Sequence, residues 1–144
     1  MQNVNYQNII EVTLNSFPEF KESKQFKEIM EEVDISLPYI FFGYFNEFII
    51  DHLTSEKHRG SPIIQRFVIF VNELFADTNS DPKVLNLIQI EIFELLAESK
   101  ELIEFARKNL VGKALDTFEF TSRHYGVEAS VSSQAQVEPS LNVK

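Results

Sequence analysis

The sequence predicts an all-α protein, folded as an antiparallel helical bundle or a short α-solenoid-like stack. Apolar residues recur at the 3.6-residue helical period, capping residues stand just before prolines, and no sustained period-two alternation occurs before residue 126. The four glycines and five prolines fall between the periodic stretches, as expected of residues that end helices. The pattern predicts seven helices, at about 4–16, 18–33, 38–54, 62–77, 82–98, 99–110 and 112–124.

Capping residues indicate where several of these helices begin. Ser16–Glu19 has the Ser-x-x-Glu spacing of a capping box, with a proline in the first turn. Ser61 and Asp81 each precede a proline, whose missing N–H costs nothing at the first helical position. We therefore expect a side-chain cap at each of these three positions.

The segment Tyr39–Phe48 reads YIFFGYFNEF and carries six aromatic side chains in ten positions. They surround the predicted helix, and a helix that is apolar all round is usually central and buried. At roughly 25 cal/mol per Å² of apolar area, these rings would be the main stabilising element of the core. An aromatic ligand pocket is the alternative, but no convergent polar groups accompany the rings.

Length and composition predict one globular domain over residues 1–125, followed by a flexible tail over residues 126–144. The tail has no aromatic residue and is rich in serine and glutamine, although the alternation over 127–131 also fits a short docking strand. The polar first residues do not resemble a signal peptide, and no apolar stretch is long enough to span a bilayer. Because the chain also lacks cysteine, we expect a cytoplasmic protein without disulfides.

No pattern of catalytic or ligand-binding residues emerges from the sequence. The three histidines, His52, His58 and His124, lack the Glu-x-x-His and His-Glu-x-x-His spacings of helical metal sites. Gly-x-Ser-x-Gly and the glycine-rich phosphate-binding patterns are also missing. We therefore expect no metal, no cofactor and no enzymatic activity.

The charge balance favours a basic protein partner. Thirteen basic and 22 acidic residues give a net charge of −9, which repels nucleic acid and attracts cationic surfaces. Four acids follow a three, four, three spacing, which places them on one face if the helix continues through residue 101: Glu91, Glu94, Glu98 and Glu101. A helix break at Ser99 would displace the last of them.

A second acidic cluster, Glu28, Glu31 and Glu32 with Asp34, lies near the end of the second predicted helix. Either cluster fits a solvated face of an acidic protein as well as a docking surface. Surface charge alone rarely maintains a tight complex, so we also expect exposed apolar anchors. Ile69, on the polar side of its helix, and Tyr125, just before the tail, are the candidates.

Two segments, Phe17-Pro18-Glu19 and Leu37-Pro38-Tyr39-Ile40-Phe41-Phe42-Gly43-Tyr44-Phe45-Asn46, resemble motifs of small bacterial helical proteins of immunity-like function. The resemblance covers about residues 9–115. The chain is also similar to the immunity partners of contact-dependent growth-inhibition toxins, which are small, acidic, cysteine-free and cytoplasmic. The resemblance implies an inhibitor that neutralises a basic toxin, such as a nuclease, by occupying the cleft that holds the phosphate backbone.

The sequence thus predicts an immunity protein that binds its cognate toxin through an acidic surface, with no direct contact to nucleic acid or membrane. A helical-repeat adaptor that binds a peptide in a groove is the alternative, since successive antiparallel helices can stack in that way. A hydrolase without a recognisable motif is a further, weaker alternative.

Overall fold

The computed structural model describes residues 3–32, 36–55 and 60–129, and for Glu32 the backbone alone. Eight α-helices lie in these ranges: α1 (Ile9–Ser16), α2 (Lys24–Glu32), α3 (Pro38–Thr54), α4 (Pro62–Ala76), α5 (Pro82–Ile88), α6 (Glu94–Leu96), α7 (Lys100–Asn109) and α8 (Gly112–His124). A 3-10 helix, Pro18–Glu22, a π-helical turn, Gln89–Phe93, and a helical turn at residues 126–129 complete the described secondary structure, which contains no strand. The predicted all-α fold class is confirmed.

Helix α3 packs against α1, α2, α4, α5 and the π-helical turn, as its aromatic sequence predicts. Its rings meet those of the 3-10 helix region, with the centroid of Phe45 lying 5.2 Å from that of Phe17 and 5.3 Å from that of Phe20. All three side chains are fully buried. The prediction that the rings cover the whole circumference is wrong in one respect, since an outer stripe that includes Ile40 and Glu47 is exposed.

The first helix begins at Ile9 and not at residue 4. The side chains of Asn5 and Asn8 accept from each other's backbone N–H groups, at 2.9 and 2.8 Å, and close a turn in front of the helix. Asparagine side chains compete with helical hydrogen bonds in this way, which is why they favour turns and helix starts.

The predicted helix at 18–33 is two elements, separated at Ser23. The Ser23 hydroxyl donates to the carbonyl of Phe20 at 2.6 Å and accepts from the backbone N–H of Phe26 at 3.1 Å, so it ends the 3-10 helix and caps α2. The predicted capping box at Ser16–Glu19 is wrong, because the Glu19 carboxylate accepts from Arg66 on α4. This ion pair lowers the pKa of Glu19 and ties the 3-10 helix to α4.

The caps predicted at Ser61 and Asp81 are confirmed. The Ser61 side chain accepts from the backbone N–H of Ile64. The Asp81 carboxylate accepts from the N–H of Lys83 at 3.0 Å and from the N–H of Tyr6 at 2.9 Å. Asp81 therefore starts α5 and also holds the N-terminal segment, and these hydrogen bonds lower its pKa.

The predicted helix at 82–98 contains the π-helical turn, in which the N–H of Glu94 donates to the carbonyl of Gln89, five residues back. Asn46 on α3 donates through its side-chain Nδ2 to the carbonyl of Glu91 within this turn. A side chain that inserts into the backbone ladder of a helix is a recognised cause of such irregularity. The helix then ends at Leu96, and Ser99 caps α7 by accepting from the N–H of Leu102 at 3.2 Å.

The packed chain continues past residue 126, the predicted start of the tail. Residues 126–129 form a helical turn in which the N–H of Val127 donates to the carbonyl of Ala97 at 3.0 Å. Gly126 has φ +79°, and a Cβ at this position would overlap the carbonyl oxygen of Ala97. Only glycine fits this close approach. The rest of the predicted tail, residues 130–144, lies outside the described residues.

Candidate functional site

A groove of about 800 Å³ runs between α4 and α7. Helices α4 and α7 both pack against α8, and α7 also contacts α6. The floor of the groove is apolar and consists of Leu53, Ile64, Val68, Leu102 and Phe105. Its rim consists of the exposed residues Gln65, Ile69, Glu101, Glu104 and Lys108. We name this feature the α4–α7 groove.

The side-chain amide of Asn72 on α4 is hydrogen-bonded to the end of α7, where Asn109 lines the α4–α7 groove. Its Nδ2 donates to the carbonyl of Asn109 at 3.1 Å, and its Oδ1 accepts from the N–H of Val111 at 3.0 Å. The Asn72 side chain thus pairs with one main-chain carbonyl and one main-chain N–H at the junction of α7 and α8. These hydrogen bonds connect α4 to the end of α7. Leu53 at the end of α3 and Gly60 just before α4 also border the groove.

Ile69, which the sequence predicts as an apolar anchor, is 54% exposed and lies at the rim of the α4–α7 groove. The other predicted anchor, Tyr125, is 48% exposed but follows α8 and does not line the groove. The structure therefore brings one of the two anchors to an acidic rim. Glu101 and Glu104 are the acids that lie there with Ile69.

The condition for one face shared by Glu91, Glu94, Glu98 and Glu101, a helix that continues through residue 101, is not met. Glu91 lies in the π-helical turn, Glu94 begins α6, Glu98 is exposed in the turn after α6, and Glu101 lies in the first turn of α7. The helix break at Ser99 has the effect foreseen for it, because Glu101 now faces the α4–α7 groove. The π-helical turn, with its hydrogen bond from Glu94 to Gln89, also departs from the α-helical period, which the spacing does not reveal.

The Glu91 carboxylate lies against α3. It lies beside Gly43 of α3, where a Cβ on the glycine would be 3.8 Å from Glu91 Oε2. Burial raises the pKa of Glu91, and the charge of nearby Glu94 adds to the effect. Glu91 and Glu94 are therefore close to each other, as predicted, but they lie apart from the groove.

The second predicted acidic cluster is on α2. Glu28 and Glu31 are exposed there, whereas the side chain of Glu32 and all of Asp34 lie outside the described residues. Helix α2 packs against α3 and the 3-10 helix, and none of its residues lines the α4–α7 groove. These acids form a surface separate from Ile69.

Of the three histidines, His58 lies outside the described residues. The Nδ1 atom of His52 is 2.9 Å from the carbonyl oxygen of Phe48, and the ring of His124 stacks on Phe120 at 4.3 Å. Within the described ranges, no group of three or more histidine, aspartate or glutamate side chains has the arrangement of a metal site. In the same ranges, no helix combines the length and the apolar character needed to cross a membrane.

Most groove residues are not among those predicted from the sequence, and on α7 they include Glu104, Phe105 and Lys108. Glu104 and Lys108 have the i, i+4 spacing of neighbours on one helical face, and Phe105 stands between them. This pattern could have directed attention to α7. No signal in the sequence relates Asn72 to a link 37 residues further along the chain.

Comparison with known protein families, with curated protein sequences and with solved structures finds no match.

Proposed function

We propose that this chain is a protein-binding module that receives an apolar and basic segment of a cationic partner in the α4–α7 groove. The observation that carries the proposal is the exposure of Ile69, at 54%, beside an apolar floor and an acidic rim. An exposed apolar side chain at the edge of an apolar groove is typical of a surface that a partner covers.

The charge of the chain supports the same proposal. Glu101 and Glu104 outnumber Lys108 at the rim, and the whole chain carries a net charge of −9. Such a field accelerates the encounter with a basic protein and selects against acidic partners. The apolar floor would then provide most of the affinity, because buried apolar anchors contribute more than charges at a rim.

For the biological role we propose an immunity protein, which acts in the cytoplasm and neutralises a cognate basic toxin, such as a nuclease. The acidic surface and the resemblance carried by Phe17–Glu19 and Leu37–Asn46 support this role. We propose no catalytic activity. An adaptor that binds a peptide is a second candidate, which the shape of the groove favours, since an apolar groove between helices suits a helical or extended peptide.

Site-directed photocrosslinking in cells of the source organism tests this proposal. A photoreactive phenylalanine analogue would replace Ile69, and in a control variant it would replace Met30, which is 60% exposed on α2. We expect a basic protein to crosslink from position 69 and not from position 30. Equal crosslinking from both positions, or an acidic protein as the product, would contradict the proposed site.

Expression of the captured partner then separates the two roles. An immunity protein requires that the partner alone stops growth and that coexpression of this chain restores it. A partner that is harmless when expressed alone favours the adaptor.

A further inference from the structure

The two walls of the α4–α7 groove run in the same direction. On α4 the lining residues run from Ile64 to Ile69, and on α7 they run from Glu101 to Asn109. Just beyond Ile69, the side chain of Asn72 is hydrogen-bonded to the carbonyl of Asn109 at 3.1 Å. Because the later residues of both walls meet at this hydrogen bond, both helices begin at the other end of the groove. We name these two ends the Asn109 end and the Glu101 end.

Charge is distributed unevenly between the two ends of the groove. Glu101 and Glu104 lie at the rim in the first two turns of α7, whereas Lys108 lies in its last turn. Among the described ion pairs, none joins Glu104 to Lys108. At about 1.5 Å per residue, Lys108 is roughly 10 Å from Glu101 along the helix axis, which is close to the Debye length at physiological salt. A cation at the Glu101 end is therefore attracted by the acids and largely screened from the lysine.

The apolar floor of the groove repeats at the spacing of a helical turn. Ile64 and Val68 are one turn apart on α4, and Leu102 and Phe105 are one turn apart on α7. Ile69 adds an exposed apolar side chain at the rim. A helix with apolar residues three or four positions apart presents them at the same spacing, so it would contact both turns of each wall.

The side-chain amides that border the groove are already hydrogen-bonded within the chain. Gln65 donates through Nε2 to the carbonyl of Gly60 at 3.1 Å. Asn109 donates through Nδ2 to the carbonyl of Phe105 at 2.9 Å, and its own carbonyl accepts from Asn72. Both walls are helices, whose main-chain groups are paired internally. An extended segment would therefore bury unpaired N–H and C=O groups on the apolar floor, whereas a helix pairs its own.

We infer that the α4–α7 groove receives an amphipathic helix of the partner, which runs opposite to α4 and α7 and carries its basic residues in its last turn. In this direction the basic turn meets Glu101 and Glu104. The partly negative C-terminal end of the bound helix then lies at the partly positive N-terminal ends of α4 and α7, and basic residues in a last turn also stabilise the helix that carries them. The inference rests on the proposed function, because it specifies the segment that the groove takes.

Two designed peptides of identical composition test the direction without the partner. Both are hydrocarbon-stapled helices with blocked termini and the same apolar stripe, but one carries its lysines in the last turn and the other in the first turn. Fluorescence anisotropy gives the affinities, and NMR shifts of the Ile69 and Phe105 amides in ¹⁵N-labelled protein report binding in the groove. We expect the peptide with lysines in its last turn to bind about three- to tenfold more tightly, which is the range that helix-end and rim charges contribute.

A variant that exchanges two rim charges is the matched control. Glu104→Lys with Lys108→Glu keeps the net charge at −9 but leaves one acid at each end of the groove. We expect the two peptides to bind this variant within about twofold of each other, and high salt should have the same effect on the wild-type protein. The NMR spectrum itself reports whether the variant folds.

A nitroxide label on the peptide reads the direction of the bound helix. On the N-terminus of the peptide that binds more tightly, the label should broaden the amide signals of Asn72 and Asn109. On the C-terminus of the same peptide, it should broaden the signals of Glu101 and Leu102.

The inference is overturned if the two peptides bind the wild-type protein equally, if the peptide with lysines in its first turn binds more tightly, or if the labels broaden the opposite ends. Absence of shifts at Ile69 and Phe105 with both peptides would overturn it as well. Each of these results leaves the proposed function to the crosslinking from position 69, which fails on its own terms if it captures no basic protein.

Discussion

Arg107 on α7 holds the carboxylate of Glu128 at two points, with nitrogen–oxygen distances of 2.7 and 2.9 Å. The same arginine donates through Nε to Glu119 on α8 at 2.8 Å, and Ser122 donates to Glu128 at 2.6 Å. One guanidinium thus joins α7, α8 and the turn at 126–129. Bidentate pairs of this kind are the stronger form of a surface ion pair.

We predict that this connection is lost in acid. Hydrogen bonds from Arg107 and Ser122 lower the pKa of Glu128 below its ordinary value of 4.5. A lowered pKa in the folded state means that the stabilisation is present above about 4.5 and disappears as the pH falls through the folded-state pKa. Hydrogen exchange of the Val127 amide, which donates to Ala97, should therefore be slow at neutral pH and lose its protection in acid.

Glu128→Gln is the matched variant for this prediction. It should remove the protection of the Val127 amide at every pH and cost no more than about 1 kcal/mol of global stability, because the pair is partly exposed. Acid-resistant protection in the wild-type protein would contradict the role assigned to Glu128.

Gly126→Ala should weaken the contact between the turn at residues 126–129 and Ala97 by steric overlap. Its Cβ would overlap the carbonyl oxygen of Ala97, and φ +79° is unfavourable for alanine. We expect a loss of about 1–3 kcal/mol in the free energy of unfolding, measured by urea titration. Gly112→Ala is the control, since Gly112 also has positive φ, at +55°, but a Cβ there would have no atom within 4 Å. If both variants lose the same stability, the contact with Ala97 has no energetic importance.

Phe45→Ala should cost about 3–5 kcal/mol, because it opens a cavity among the rings of Phe17 and Phe20. Ile40→Ala on the exposed stripe of the same helix should cost far less. Thermal and urea unfolding of the two variants check the prediction. Similar losses would mean that the stability of α3 does not depend on the buried ring cluster.

Glu91→Gln should stabilise the folded protein at neutral pH. Burial raises the pKa of Glu91, so the folded state holds its proton more tightly than the unfolded state does. The wild-type protein therefore loses stability as the pH rises through the interval between the two pKa values. Urea titrations from about pH 4 to about pH 7 should show no gain for the variant at the acid end and a gain of a fraction of a kcal/mol at neutrality. Equal stability at both ends would contradict the burial argument.

Much of the fold could be predicted because it depends on local physics. Ser61 and Asp81 cap helices as their positions before proline indicate, and the aromatic sequence of α3 implies its burial. The errors arise where a side chain that is distant in sequence forms a hydrogen bond with a group that the local pattern assigns to a neighbouring residue. Arg66 diverts Glu19 from a capping box, and Asn46 pairs with the π-helical turn, and neither partner is visible in a local pattern.

The candidate site could be predicted only in part for the same reason. Ile69 stands out because it is apolar on a polar helical face, and this signal is local. The position of Glu101 depends on the break at Ser99, and the groove depends on how α4 and α7 rest on α8. Helix spacing predicts neighbours on one helix, but the packing of several helices decides which acids meet Ile69.

We propose the α4–α7 groove as the interface with the cationic partner. Its most direct test is the association rate with the purified partner, measured by stopped flow at several salt concentrations. The double variant Glu101→Lys with Glu104→Lys reverses the groove rim. Glu28→Lys with Glu31→Lys makes the same change in net charge on α2 and is the matched control.

We expect the groove variant to associate at least about tenfold more slowly and to lose most of the salt dependence, because charges near the contact dominate the encounter. The α2 variant should stay within a few-fold of the wild-type rate. Equal slowing in the two variants would show that only net charge matters and would contradict the groove as the interface.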